Sequence, residues 1–119
     1  MNWNEIKNKI LIFGEDDYIF ADMFISIVGE IDSEKNNLIK NTFLMLKELI
    51  DDKLVEIYIL NIKNNEIKDL IKYEIKCEED VSKLIHIIDS EWQKINYQFP
   101  KPNQLFWATT TEKGCDLIF

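Results

Sequence analysis

The stretch SEKNNLIKNTFLMLKELIDDKLVEIYIL, residues 33–60, reads as a helix, a tight turn and a strand in direct succession. Ser33 is an N-cap candidate, because its hydroxyl can accept from an early helical N–H. Behind it Leu38, Ile39, Thr42, Phe43, Leu46, Leu49 and Ile50 recur at helical spacing, which predicts a helix of roughly five turns with a broad apolar face. The period breaks at Asp51, Asp52 and Lys53. Leu54, Val55, Glu56, Ile57, Tyr58, Ile59 and Leu60 then supply the β-branched and aromatic types of a strand.

Working upstream, Trp3, Ile6, Ile10 and Phe13 fall three and four residues apart, with Asn2 or Asn4 available as cap, and predict a short helix ending at Gly14. Glu15, Asp16 and Asp17 then form an acidic first turn for a second helix, along which Phe20, Met23, Phe24, Ile27 and Val28 repeat at amphipathic spacing. Gly29 stops that helix, and a short connection leads to the helix begun at Ser33, so the pair reads as a helix-turn-helix unit. Downstream, residues 61–65 are turn material. Ile67, Leu70 and Ile71 are compatible with a short helix, but residues 71–75 alternate like a strand, so 61–77 stays open. Glu78, Glu79 and Asp80 open a further helix striped by Val81, Leu84, Ile85, Ile88, Trp92 and Ile95, which must end before Pro100 and Pro102.

A second piece of the pattern lies at Phe106, Trp107, Ala108, Thr109, Thr110 and Thr111, followed by Glu112, Lys113 and Gly114: a returning strand, then a Thr-x-x-Gly helix start. Helix, polar turn, strand and returning strand together resemble the recognition helix, wing and closing helix of winged-helix regulators. The resemblance implies an α+β, mostly helical domain, winged-helix-like, with a two-stranded antiparallel hairpin pairing 55–60 with 105–110 and the Ser33 helix packed on the Phe20 and Val81 helices. Roughly forty residues separate the two strands where a wing needs about a dozen or fewer, so the resemblance also requires a helical insertion.

The 119 residues form one domain by size, 1–119, long enough for a core without staples. A hydrophobic content of 46% excludes bulk disorder, and no apolar run approaches the roughly 18 residues of a membrane span. The N-terminus carries Glu5, Lys7 and Lys9 and lacks the pattern of a signal peptide, so a cytoplasmic location is expected. Cys77 and Cys115 stand far apart, and with a single histidine neither a metal site nor a disulfide framework is expected. No cofactor is expected either, since Gly14, Gly29 and Gly114 stand alone and form no phosphate loop.

Catalysis is not expected. His86 borders an apolar stripe with no partner suggested by the local sequence, Cys77 precedes three acids that disfavour a thiolate, and adjacent carboxylates such as Asp51 and Asp52 point to different sides of a helix. The tryptophans and Phe106 and Tyr97 are expected in the core.

Charge separates the two remaining function classes. The formal charge is −8, every base is lysine, and the arginine fork that reads guanine is absent. Lys35, Asn36, Asn37, Lys40 and Asn41 at the start of the Ser33 helix could meet phosphates and adenines, which is the winged-helix transcriptional-regulator reading. Against it, residues 15–34 hold seven acids and no base, a field that repels a duplex. In size and acidity the chain resembles immunity proteins of contact-dependent growth inhibition and related polymorphic toxin systems. That resemblance implies a bacterial protein that binds a cognate protein toxin, a basic nuclease domain, by occluding its cleft, with neither nucleic acid nor membrane as partner. The charge runs place the toxin-binding surface at Asp16, Asp17, Asp22, Glu78, Glu79 and Asp80.

Overall fold

In a computed structural model, which describes residues 2–63, 66–102 and 104–118, the chain is an α+β domain of five helices and one antiparallel four-stranded sheet. The elements run α1 (Trp3–Asp16), β1 (Ile19–Phe20), α2 (Ala21–Val28), α3 (Lys35–Asp51), β2 (Val55–Lys63), β3 (Glu66–Lys72), α4 (Glu78–Lys94), β4 (Trp107–Thr110) and α5 (Glu112–Ile118). The strand order across the sheet is β1-β4-β2-β3.

The helix-turn-strand stretch folds as read, with one shift at its start. Glu34, not Ser33, is the N-cap of α3, its carboxylate accepting the N–H groups of Asn36 and Asn37 at 3.2 and 3.1 Å. Lys53 takes a positive φ of 59° to turn the chain, and Leu54 N–H closes back on Leu49 O at 2.9 Å. Val55 then pairs with Thr110, Glu56 with Thr109, Ile57 with Ala108 and Tyr58 with Trp107, so the expected antiparallel pairing of the two distant segments is present. It begins at Trp107, because Leu105 has a φ of 71° and belongs to the approach. α3 packs on both α2 and α4, also as expected.

Three expectations are corrected. The sheet has four strands where two were expected: Ile19 and Phe20, assigned to the second helix, form β1 against Ala108 and Trp107, and residues 66–72 of the open region form β3 against β2. Residues 64 and 65 lie outside the described residues. The first helix does not end at Gly14 but runs to Asp16. Consequently Glu15 and Asp16 belong to the end of α1 and do not open α2, whose N-cap is Phe20. Gly14 serves close approach rather than termination, since a Cβ there would lie 2.7 Å from Thr110 Oγ1 and 3.2 Å from Thr110 N.

The core lies between the helices and one face of the sheet. Ile6, Ile10 and Leu11 of α1, Phe24 and Val28 of α2, Met45, Leu46 and Leu49 of α3, and Val81, Leu84 and Ile88 of α4 meet Ile19, Val55, Ile57 and Ala108 from the strands. Phe106 enters it and stacks edge-to-face on Phe24 at 5.4 Å. At the far end of α4, Trp92 is buried against Phe43 and Tyr97 and donates its indole N–H to Gln98 O at 2.9 Å. That bond holds the turn in which Asn96 and Tyr97 both have positive φ.

Candidate docking surface

Because neighbouring strands all run antiparallel, β1 and β2 begin at the end of the sheet where β4 and β3 finish. Every connection at that end carries acids: Glu15, Asp16 and Asp17 before β1, Asp51 and Asp52 before β2, Glu112 and Asp116 after β4, and Glu74 and Glu78 after β3. The charges around Cys115 and Lys47 show the same closeness from two sides. The half-buried Cys115 thiol is pushed up by burial and then by the carboxylates of Glu15, Asp116, Asp16 and Glu112, which ties the end of α1 to α5. Lys47 is raised first by its hydrogen bond to Asp51 and further by the charges of Asp51 and Glu78, which ties the end of α3 to the start of α4.

Among the six acids singled out from the sequence, Asp16, Asp17, Glu78 and Glu79 are exposed. Asp16 and Asp17 stand just before β1 at one edge of the sheet, while Glu78 and Glu79 open α4 beyond β3 at the other edge, with β4 and β2 lying between β1 and β3. Asp80 is half-buried and occupied, its Oδ2 accepting the Lys76 N–H at 2.8 Å, and that bond draws its carboxyl below the usual range. Asp22 is set apart. It follows β1, away from Asp17, and its Oδ1 is buried with no hydrogen-bond partner among the described residues. The positions that join the two runs, Asp51, Asp52, Glu112 and Asp116, were not singled out. The pairing of β4 between β1 and β2 brings them into line, and no local pattern signals it.

Alternation along the strands gives the sheet a second face that the helices leave open. Phe20 lies opposite Trp107, Trp107 opposite Tyr58, and Tyr58 opposite Lys72, so one row crosses all four strands on the side away from the core. Phe20 and Trp107 meet edge-to-face at 5.9 Å, and Tyr18 and Tyr58 do so at 5.2 Å. Trp107 is buried, as the sequence led us to expect for the tryptophans, but it is not part of the helix-facing core. Tyr18 and Phe20 remain 40% and 38% exposed. The Tyr58 hydroxyl donates to Glu56 Oε2 at 3.2 Å, and burial followed by the Glu56 charge pushes its phenol up despite a hydrogen bond with Thr109. Glu56 also pairs with Lys72 at 3.5 Å.

Concavities among the described residues flank this architecture. A cleft of about 660 Å³ opens where residues 73–77 leave β2, between the end of α3 and the start of α4. Ile50, Val55, Ile75 and Val81 line it, with Asp51, Glu56, Glu74, Glu78, Lys53, Lys72 and Lys76 among its charged residues. A shallower depression of about 420 Å³ holds His86 with Ser82, Lys83 and Tyr73. His86 is exposed, and among the described residues no hydrogen bond joins it to Ser82. Also among the described residues, no helix is long and apolar enough to cross a membrane.

Comparison with protein-family models, with curated proteins and with solved structures finds no match for this chain.

Proposed function

We propose that this chain is a cytoplasmic immunity protein, a non-enzymatic binder that neutralises a cognate bacterial toxin by covering its substrate cleft. It does so through the acid-flanked end of its sheet, on a winged-helix-like scaffold. The observation that carries the reading is the convergence of acid-bearing connections from all four strands on one end of the sheet. A nuclease must present a basic cleft to hold phosphates, and a band of carboxylates fits that cleft, steers the encounter and occupies the place of the nucleic acid. Asp16, Asp17, Glu78 and Glu79 are the exposed members, while Asp80 is committed to the start of α4 and Asp22 is half-buried in the first turn of α2.

The second reading, a winged-helix transcriptional regulator, draws on the exposure of Lys35, Asn36, Asn37 and Lys40 at the start of α3. Their surroundings speak against it. Glu34 caps the helix with a carboxylate, Asp32 accepts the Asn37 amide at 2.8 Å, and Lys35 Nζ donates to Asn96 O at 3.3 Å. A duplex entering there meets anions first, and phosphate neutralisation is the main source of DNA affinity.

The test is binding of the purified protein, at physiological salt, to the product of the gene neighbouring its own and separately to its own promoter DNA. Toxin binding is expected. Converting Asp16, Asp17, Glu78 and Glu79 to lysine is expected to slow association about tenfold or more at low salt and much less at high salt, because exposed charges act on the on-rate and are screened. Tight promoter binding without toxin binding replaces this reading with the regulator.

A further inference from the structure

The acids explain encounter better than they explain hold, since exposed ion pairs each contribute little net affinity. Interfaces draw most of their affinity from a few aromatic anchors at a desolvated centre. We infer that the sheet face on which Tyr18 and Phe20 stand exposed, backed by Tyr58 and the buried Trp107, is that centre, and that it receives a cationic, arginine-bearing segment of the partner protein. The inference rests on the toxin-binding reading and names the residues that hold the partner.

Four features point to a cation. The rings are paired edge-to-face in two sets, Phe20 with Trp107 and Tyr18 with Tyr58, so they are already ordered and lose little freedom on binding. Tyr18 and Phe20 keep over a third of their surface exposed, which leaves ring available to a guanidinium. Glu56 stands on the same side, hydrogen-bonded to the Tyr58 hydroxyl and paired with Lys72 only at 3.5 Å, so an incoming arginine can displace that lysine and take a charge-assisted bond. Finally, Tyr18 directly follows the exposed Asp17, so the aromatic face is continuous with the acid-flanked end. A second copy of the chain is a poor occupant, because each copy brings a formal charge of −8 and the same carboxylates. Nucleic acid fails on the same sign.

The inference is tested with the intact protein and a short synthetic peptide in which arginine alternates with valine, against a control in which glutamate replaces arginine. Aromatic NMR shifts are followed at physiological salt. The arginine peptide is expected to shift the Tyr18, Phe20, Tyr58 and Trp107 ring signals, and the glutamate peptide to leave them unmoved. The paired variant Tyr18→Ala, Phe20→Ser is expected to weaken the arginine peptide roughly tenfold, the scale of one or two partly desolvated cation–π contacts. If that variant does not fold, Glu56→Gln, which preserves shape, must still weaken binding several-fold. Shifts confined to residues beside Asp16, Asp17, Glu78 and Glu79, with the rings unmoved, overturn this inference and leave the acidic toxin-binding surface standing. Equal response to the glutamate peptide, no response to either, or ring shifts that follow protein concentration alone also overturn it. Loss of toxin binding in the lysine-substituted protein, with ring shifts absent, separates failure of the aromatic face from failure of the acidic end.

Discussion

Cys115 and Cys77 show how position sets the chemistry of one side-chain type. Cys77 is exposed at the N-cap of α4, whereas Cys115 is half-buried on α5 with its thiol raised by burial and four carboxylates. A raised thiol pKa leaves less thiolate at neutral pH, and thiolate is the nucleophile. Iodoacetamide is therefore expected to modify Cys77 first at pH 7.5, with Cys115 lagging by tenfold or more; peptide mass mapping over time checks this, and equal rates contradict it. Local chemistry was legible at this scale. Thr111 and Gly114 were read as a helix start, and the Gly114 N–H does donate to Thr111 Oγ1 at 3.1 Å. The N-cap of α3 falls one residue later than Ser33, because Ser33 and Glu34 can both accept from the first turn and the backbone takes the Glu34 carboxylate. The aromatics were legible only in part. Trp92 and Phe106 are core residues as expected, but which face of a strand a ring takes follows from register, and register depends on a partner far along the chain.

Among the elements, the long amphipathic helices α3 and α4 were plain in the sequence, since their stripes are repeated over several turns. β1 was not. Two residues carry no period, and Ile19 and Phe20 are strand only because Ala108 and Trp107 lie beside them. Gly14 misled for a related reason: glycine marks helix ends often, but here it lets α1 lie against β4, with Thr110 Oγ1 donating to Leu11 O at 2.6 Å. Gly14→Ala is expected to destabilise the fold by about 1–3 kcal/mol through overpacking, although alanine is the better helix former. Urea denaturation followed by circular dichroism measures it, and an unchanged or higher midpoint would contradict the close approach. Gly114 has the same logic, as a Cβ there would lie 2.5 Å from Leu54 O.

For the whole molecule, the sign and size of the charge are legible in the composition but its geography is not: two acid runs far apart in sequence share one end of the sheet through the strand order. Charge and the open aromatic face act against each other in solution. At neutral pH the formal −8 holds copies apart, and as pH falls toward the sequence pI of 4.6 that repulsion fades. The protein is expected to be monomeric at pH 7.5 and to self-associate near pH 4.6, with light scattering as the measure; dimers at neutral pH and low salt would contradict it. The strand order carries a kinetic consequence as well. β4 is the only strand that touches both β1 and β2 among the described residues, so before it docks the α1–β1 segment has no sheet to join and two strand edges lie bare. Closing the Ile19–Ala108 contact means drawing together residues separated by most of the chain, and the entropy of that closure must be met before the core beneath it contributes. Completion of the sheet thus requires a long-range insertion into its middle. Until it happens, the acids now gathered at one end are scattered along an incomplete domain, and the surface they form comes into being only with the final fold.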